Sequence, residues 1–317
     1  MPAPMLSVVM PVYNPGKLFK YALRSVLDQS FREFEVVISD DSEVESELEI
    51  VDERIKYVKN PLKEKGIFSN LNHAIRNSKG KYIQIFCQDD IMKNNFLEEQ
   101  VRVLQNNQEV AMVFSSYGNI EGLDYGSVDL NSNNSNHEIK ILAPGYFLNL
   151  LLIHGCIPGN LSPVMLRSEV INKLGAFNEQ YKFSGDFEYW VRIGKTWPVA
   201  YNPSKLLLVR KHPDQASVFL PSADLIRDLI RIYGDLMHCH SVKLSNKYLS
   251  WYLNETVGVQ LFFRLIKKIL NTRRWSEGMG IRLLMEYPFS LAKILFLSFI
   301  TFRNSLKIFK VNASDME

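Results

Sequence analysis

The chain has 317 residues, 46% of them hydrophobic, enough for one sizeable domain with an appendage, and its net charge of +3 is too mild to imply a nucleic-acid partner. Cys87, Cys156 and Cys239 are too few and too scattered for a disulfide framework or a zinc site. No charged-then-apolar leader precedes Leu6, so the expected setting is a reducing cytosol rather than export.

Leu6–Tyr13 (LSVVMPVY) reads as a buried strand that runs into Asn14-Pro15, where Asn suits a helix cap and Pro the first helical position. Leu18, Phe19, Ala22, Leu23, Val26 and Leu27 then recur at helical spacing. Phe34–Ser39 (FEVVIS) is a second buried strand and ends on Asp40-Asp41; Ile55–Val58 reads as a short edge strand. Phe68–Asn77 is expected to be helical, and Tyr82–Cys87 (YIQIFC) a buried strand introduced by the turn dipeptide Gly80-Lys81. A helix over Asn94–Asn107 and a strand over Val110–Ser116 follow. Leu123–His137 is rich in Asn and Ser, has no periodicity, and reads as a loop. Phe147–Gly159 is apolar until it breaks at Pro158-Gly159, and a short helix runs from Ser168-Glu169 to near Gly175. Phe183–Arg192 reads as a helix capped by Ser184 or Asp186, with Phe187, Trp190 and Val191 facing inward. A late strand leads to His212, and Ala223–Met237 opens a helical C-terminal region.

Strand, helix, strand, acidic tip is half of a nucleotide-binding βαβ layout. No GxGxxG or GxxxxGK follows the first strand, so neither a dinucleotide fold nor a P-loop is supported. The apolar run ending in Gln88-Asp89-Asp90 places two carboxylates at the carboxyl edge of a sheet, where open α/β sheets bind ligands. Adjacent carboxylates repel unless something positive lies beside them. A Mg²⁺ or Mn²⁺ ion holding a diphosphate meets that need, and the competing reading is a pair that caps the next helix.

SVVMPVYN, SVLDQSF, FEVVISDDS and the Gly-Lys-Tyr strand ending in QDD come in the order and spacing of a known family. Over roughly residues 5–215 the chain resembles the family 2 glycosyltransferases with the GT-A fold. The resemblance implies a mostly parallel α/β sheet flanked by helices, with inverting transfer from a nucleotide-diphosphate sugar and a divalent cation, Mn²⁺ or Mg²⁺. It implies that Pro11, Val12 and Tyr13 lie by the nucleotide, Tyr13 stacking on the base. Asp41 accepts a hydrogen bond from the base, with Asp40 as its alternative. Asp186 matches the general base of an acidic pair whose other member is replaced here by Gly185, and Glu188 is the competing carboxylate. The metal motif, usually DxD, lacks its first Asp in either register, Cys87-Gln88-Asp89 or Gln88-Asp89-Asp90. Asp90 is assigned to metal and Asp89 to ribose, Asp89 remaining an alternative metal ligand. His212 resembles a histidine near metal or diphosphate in some members.

The expected division is a catalytic domain over 1–220, with a donor half to about residue 116 and an acceptor half beyond it, then a helical region over 221–317. From Leu261 onward ten Lys/Arg face four acids, and residues 287–302 (YPFSLAKILFLSFITF) hold a single Lys. Sixteen residues fall short of the roughly 20 a spanning helix needs. The tail therefore fits a basic amphipathic segment on an anionic membrane, or a helix packed on the domain. The expected protein is cytoplasmic and peripheral at the inner face of the cell membrane. It works in bacterial surface-polysaccharide (O-antigen or capsule) assembly on a lipid-linked or oligosaccharide acceptor, with a UDP-sugar donor ahead of dTDP- or GDP-sugars. Two alternatives stand beside it: a nucleotidyltransferase or sugar-nucleotide pyrophosphorylase, for which Pro11–Lys17 is a poor phosphate loop, and a non-catalytic nucleotide-sugar or glycan-binding module.

Overall fold

The structure, a computed structural model, describes residues 4–44, 50–61, 66–121, 138–212 and 222–239. The expected loop at 123–137 and the basic segment from 261 onward lie outside the described residues.

Four parallel strands form one side of the main sheet: β1 (Leu6–Val12), β2 (Phe34–Asp40), β3 (Ile55–Lys59) and β4 (Tyr82–Ile85). β1, β2 and β4 are mostly apolar and buried on both faces, as parallel strands covered by helices require, while β3, at the edge of the sheet, is only half-buried. α1 (Lys17–Leu27) lies between β1 and β2 and buries Phe19, Ala22, Leu23, Val26 and Leu27. α2 (Ile67–Arg76) precedes β4 and buries Phe68, Leu71 and Ala74. Pro11 pairs with Ser39 and Val12 with Asp40, so the ends of β1 and β2 reach the same edge of the sheet.

β5 (Ile91–Met92), α3 (Phe96–Asn106), β6 (Met112–Ser115), β7 (Gly118–Glu121), β8 (Lys140–Leu142) and α4 (Pro144–His154) follow. β9 (Val164–Arg167), α5 (Ser168–Leu174), α6 (Gly185–Gly194), β10 (Val199–Asn202) and β11 (Leu207–Lys211) complete this unit. The eight-stranded sheet runs β3-β2-β1-β4-β9-β6-β10-β8, with β9 antiparallel to both neighbours. A smaller sheet, β5-β11-β7, holds the turn after β4. The whole is a mixed α/β architecture with a large, mostly parallel sheet flanked by helices.

The described residues up to His212 belong to one compact unit, and α7 (Ser222–His238), as far as Met237, belongs to a second. Among the described residues no helix is long and apolar enough to cross a membrane.

One expected boundary moves. α1 is capped at Gly16, not Asn14; Asn14 takes a left-handed φ of 44° and its N–H donates to Ser42 Oγ at 2.7 Å. Asn tolerates this conformation better than most residues, so the dipeptide makes a turn instead of starting the helix.

Candidate active site

The site begins where β1, β2 and β4 run out. Asp40 is fully buried: Oδ1 accepts from the Ser42 N–H at 2.8 Å, and Oδ2 accepts from the Tyr57 hydroxyl with Lys59 Nζ 3.7 Å away. These contacts lock the turn after β2. Asp41 accepts from Asn60 Nδ2 and from the Gly66 N–H, both at 3.0 Å, which ties the β2 tip to the start of α2. Tyr13 is 55% exposed, yet its backbone is held: Gln88 Oε1 accepts from its N–H at 2.9 Å and Gln88 Nε2 donates to its carbonyl at 3.2 Å. An exposed ring on a clamped backbone suits stacking on a flat partner. Pro11 and Val12 lie on β1 beneath it.

Asp89 and Asp90 occupy the turn between β4 and β5, and they differ. Asp90 is fully buried; Oδ1 accepts from the Arg210 N–H at 2.9 Å and Oδ2 from Ser162 Oγ at 2.5 Å. Burial pushes its carboxyl up from the usual range and the charge of Asp89 adds to the rise. Asp89 is half-buried, and its Oδ2 lies 2.9 Å from His212 Nε2. β11 makes that meeting possible: it runs antiparallel to β5 with Leu208 opposite Ile91, so the residues after β11 lie beside those before β5. Arg210 Nε donates to the Asp89 carbonyl at 3.0 Å and fixes the turn. Cys87 Sγ and carboxylate oxygens of Asp89 and Asp90 all lie within 4.8 Å of one another, a spacing that one cation can span.

Asp186 lies in the first turn of α6, where a carboxylate also meets the favourable end of the helix dipole. Its Oδ1 accepts from the Phe187 N–H at 2.8 Å, and Cys156 Sγ is 3.8 Å from Oδ2. Burial raises its pKa to about 6, against the pull of the backbone N–H groups and the thiol. Glu188 is engaged elsewhere, its Oε1 2.8 Å from Arg192 Nε. Phe177 stacks on Tyr189 of α6 at 4.0 Å and on Phe68 of α2 at 5.9 Å, so an aromatic column fixes α6 against α2. The column also explains Gly185: a Cβ there would come within 2.7 Å of the Phe68 ring.

Residues 156–162 join the two carboxylate groups. At one end Cys156 meets Asp186; at the other Cys87 Sγ lies 3.4 Å from Asn160 Oδ1, and Ser162 Oγ reaches both Asp90 and the Cys87 N–H. Gly159, at φ 68°, turns the segment where a Cβ would lie 2.4 Å from the Tyr117 hydroxyl. The structure thus brings Pro11, Val12, Tyr13, Asp41, Asp89, Asp90 and His212 to the sheet edge and links Asp186 to them through this segment. Sequence reasoning missed Ser162, Asn160, Arg210 and Cys156, whose partners are 30 to 121 residues away in the chain.

A large, mostly parallel sheet flanked by helices matches the fold of the GT-A glycosyltransferases. Residues 7–164 match the family model described as Glycosyl transferase family 2, and through that domain the chain belongs to the family 2 glycosyltransferases. An uncharacterized glycosyltransferase of Rickettsia felis is 28% identical over 226 residues, which are 68% of this chain and 35% of that protein. The chain therefore spans about a third of that relative. The Escherichia coli UDP-Glc:alpha-D-GlcNAc-diphosphoundecaprenol beta-1,3-glucosyltransferase WfgD is 28% identical over 195 residues, 60% of this chain and 70% of its own. The structure of S. aureus TarS 1–349 in complex with UDP-GlcNAc gives a TM-score of 0.56 at 14% identity, covering 92% of this chain and 79% of that one. The mannosyltransferase PcManGT from Pyrobaculum calidifontis, in complex with GDP-Man and Mn²⁺, gives 0.51 at 13% identity, covering 91% and 81%. These two likenesses are likenesses of fold.

Proposed function

We propose that this chain is an inverting, metal-dependent glycosyltransferase that moves a sugar from a UDP-sugar to a hydroxyl of a lipid-linked or oligosaccharide acceptor, in the assembly of bacterial surface polysaccharide. The observation that carries the reading is the segment 156–162, which ties a half-buried carboxylate on α6 to the carboxylate-bearing turn after β4. Direct displacement at an anomeric carbon needs a base on one face and charge compensation on the other, and the chain presents a group for each.

Asp186 takes the proton of the acceptor hydroxyl as that oxygen attacks. Its raised pKa, about 6, leaves it ionised at neutral pH while making it a stronger base than an ordinary carboxylate. Attack from the face opposite the leaving group inverts configuration. Tyr13 stacks on the nucleobase, and Asp41, buried with its oxygens on Asn60 Nδ2 and the Gly66 N–H, holds the β2 tip beside it.

The cation role falls to Asp89 with His212. Asp90, which the motif alone favours, is buried with both oxygens engaged by Ser162 and the Arg210 N–H, and it holds the turn in place. A mixed carboxylate–imidazole pair suits Mn²⁺ better than Mg²⁺. When bound, such a cation supplies positive charge against the departing diphosphate.

The UDP preference and the lipid-linked acceptor are supported by the activity of WfgD and by the UDP-GlcNAc bound to TarS. The ten cations beyond Leu261 support a peripheral position on an anionic membrane. Incubation with UDP-, dTDP- and GDP-sugars and Mn²⁺, scoring nucleoside diphosphate release with Asp186→Asn as control, tests the reading. Release from none of them, with or without a lipid-diphosphate acceptor, overturns it.

A further inference from the structure

Cys156 stands at the end of the connecting segment, a half-buried free thiol against the Asp186 carboxylate. The two oxygens of that carboxylate are treated unequally. Oδ1 receives a backbone N–H at 2.8 Å from Phe187, a full hydrogen bond. Oδ2 receives the thiol at 3.8 Å, and S–H is a weak donor.

We propose that Cys156 is a positioning residue for Asp186: its thiol holds Oδ2 in orientation with a contact weak enough to yield when that oxygen takes the acceptor proton. The proposal rests on the reading of Asp186 as base. A hydroxyl on the shorter Ser side chain would fall outside hydrogen-bond reach of Oδ2 at this spacing, and without a donor the carboxylate is free to rotate about its last bond. The surroundings agree with a thiol that stays protonated. Burial pushes Cys156 well above its ordinary value, the charge of Asp186 adds to the rise, and the Trp190 indole works against it.

The other charged groups of this region are accounted for. On α6 Glu188 faces Arg192, and Tyr117 bears on Cys156 and Asp90. From the segment after α4, Cys156 is the titratable side chain among the described residues that bears on Asp186.

The experiment uses the full chain and two readouts: the ¹³C NMR titration of the Asp186 carboxyl, and the acid limb of kcat for transfer. Cys156→Ser and Cys156→Ala, which both withdraw the donor from Oδ2, should move both upward by about half a pH unit or more. Cys156→Val, which fills space without a donor, should follow Cys156→Ala and replaces it if the smaller side chain prevents folding. Titration unchanged in the variants, or shifted downward by Cys156→Ala and Cys156→Val, overturns the proposal. Wild-type transfer by Asp186→Asn would instead remove the base reading, while the NMR titration would still report the thiol contact.

Discussion

His212 and Asp89, 123 residues apart in sequence, meet with Nε2 and Oδ2 at 2.9 Å. The pairing of β11 with β5 aligns them, and the Arg210 side chain on the Asp89 carbonyl holds the turn between. If this pair binds the cation, Asp89→Ala and His212→Ala should each weaken Mn²⁺-dependent UDP binding, by at least the roughly 10–100-fold that changes around metal ligands cost. Calorimetry with and without EDTA reads it. Affinity that neither variant changes would move the cation elsewhere.

The two carboxylates of α6 should separate cleanly. Asp186→Asn keeps the shape of the side chain and removes its basicity, so UDP binding should persist while transfer falls by about 10²–10⁴-fold. Glu188→Gln loses the ion pair with Arg192 and should change transfer little. Single-turnover rates with the two variants decide; the reverse pattern assigns the base to Glu188.

The pH profile has a defined sign. Only ionised Asp186 accepts a proton, and burial has raised its pKa from 3.8 to about 6. Transfer should therefore rise with pH through a one-proton limb near 6 and level off above it. A limb left near the ordinary carboxylate value would show that the group is not desolvated in the working enzyme.

Gly185 should not accept a side chain while Phe68 stays as it is. The ring edge occupies the Cβ position at 2.7 Å, so Gly185→Ala should cost about 1–3 kcal/mol in denaturant unfolding. Phe68→Leu in the same chain should recover part of that loss. Equal stability of Gly185→Ala and the parent would mean that the aromatic column has room to shift.

The parts legible in the sequence share one property: their signal is local. Leu6–Val12, Phe34–Asp40 and the helices around Phe19 and Phe68 announce themselves through continuous apolar runs or a 3.6-residue period, and Asp41, Asp89 and Asp186 through a carboxylate at the end of such a run. β9 was not legible: Val164–Arg167 is four residues with no alternation, and nothing in them says that they lie antiparallel between β4 and β6. The same holds for the partners of the carboxylates. Ser162 and Arg210 reach Asp90 across 72 and 120 residues, so their role exists only once the sheets have formed. The replacement of an acid by Gly185 looked like a departure from a motif, and its cause, the ring of Phe68, sits on another helix.

β9 also governs how the domain comes apart. A chain ending near residue 116 would leave β4 with one open edge and β6, its neighbours β9 and β10 both missing, with two, so that their backbone N–H and C=O groups face no ladder partner. The part that carries the sheet-edge carboxylates and the part that carries Asp186 are thus woven into one cooperative unit. They should melt in a single transition, and neither can be inherited, expressed or exchanged as a module without the other.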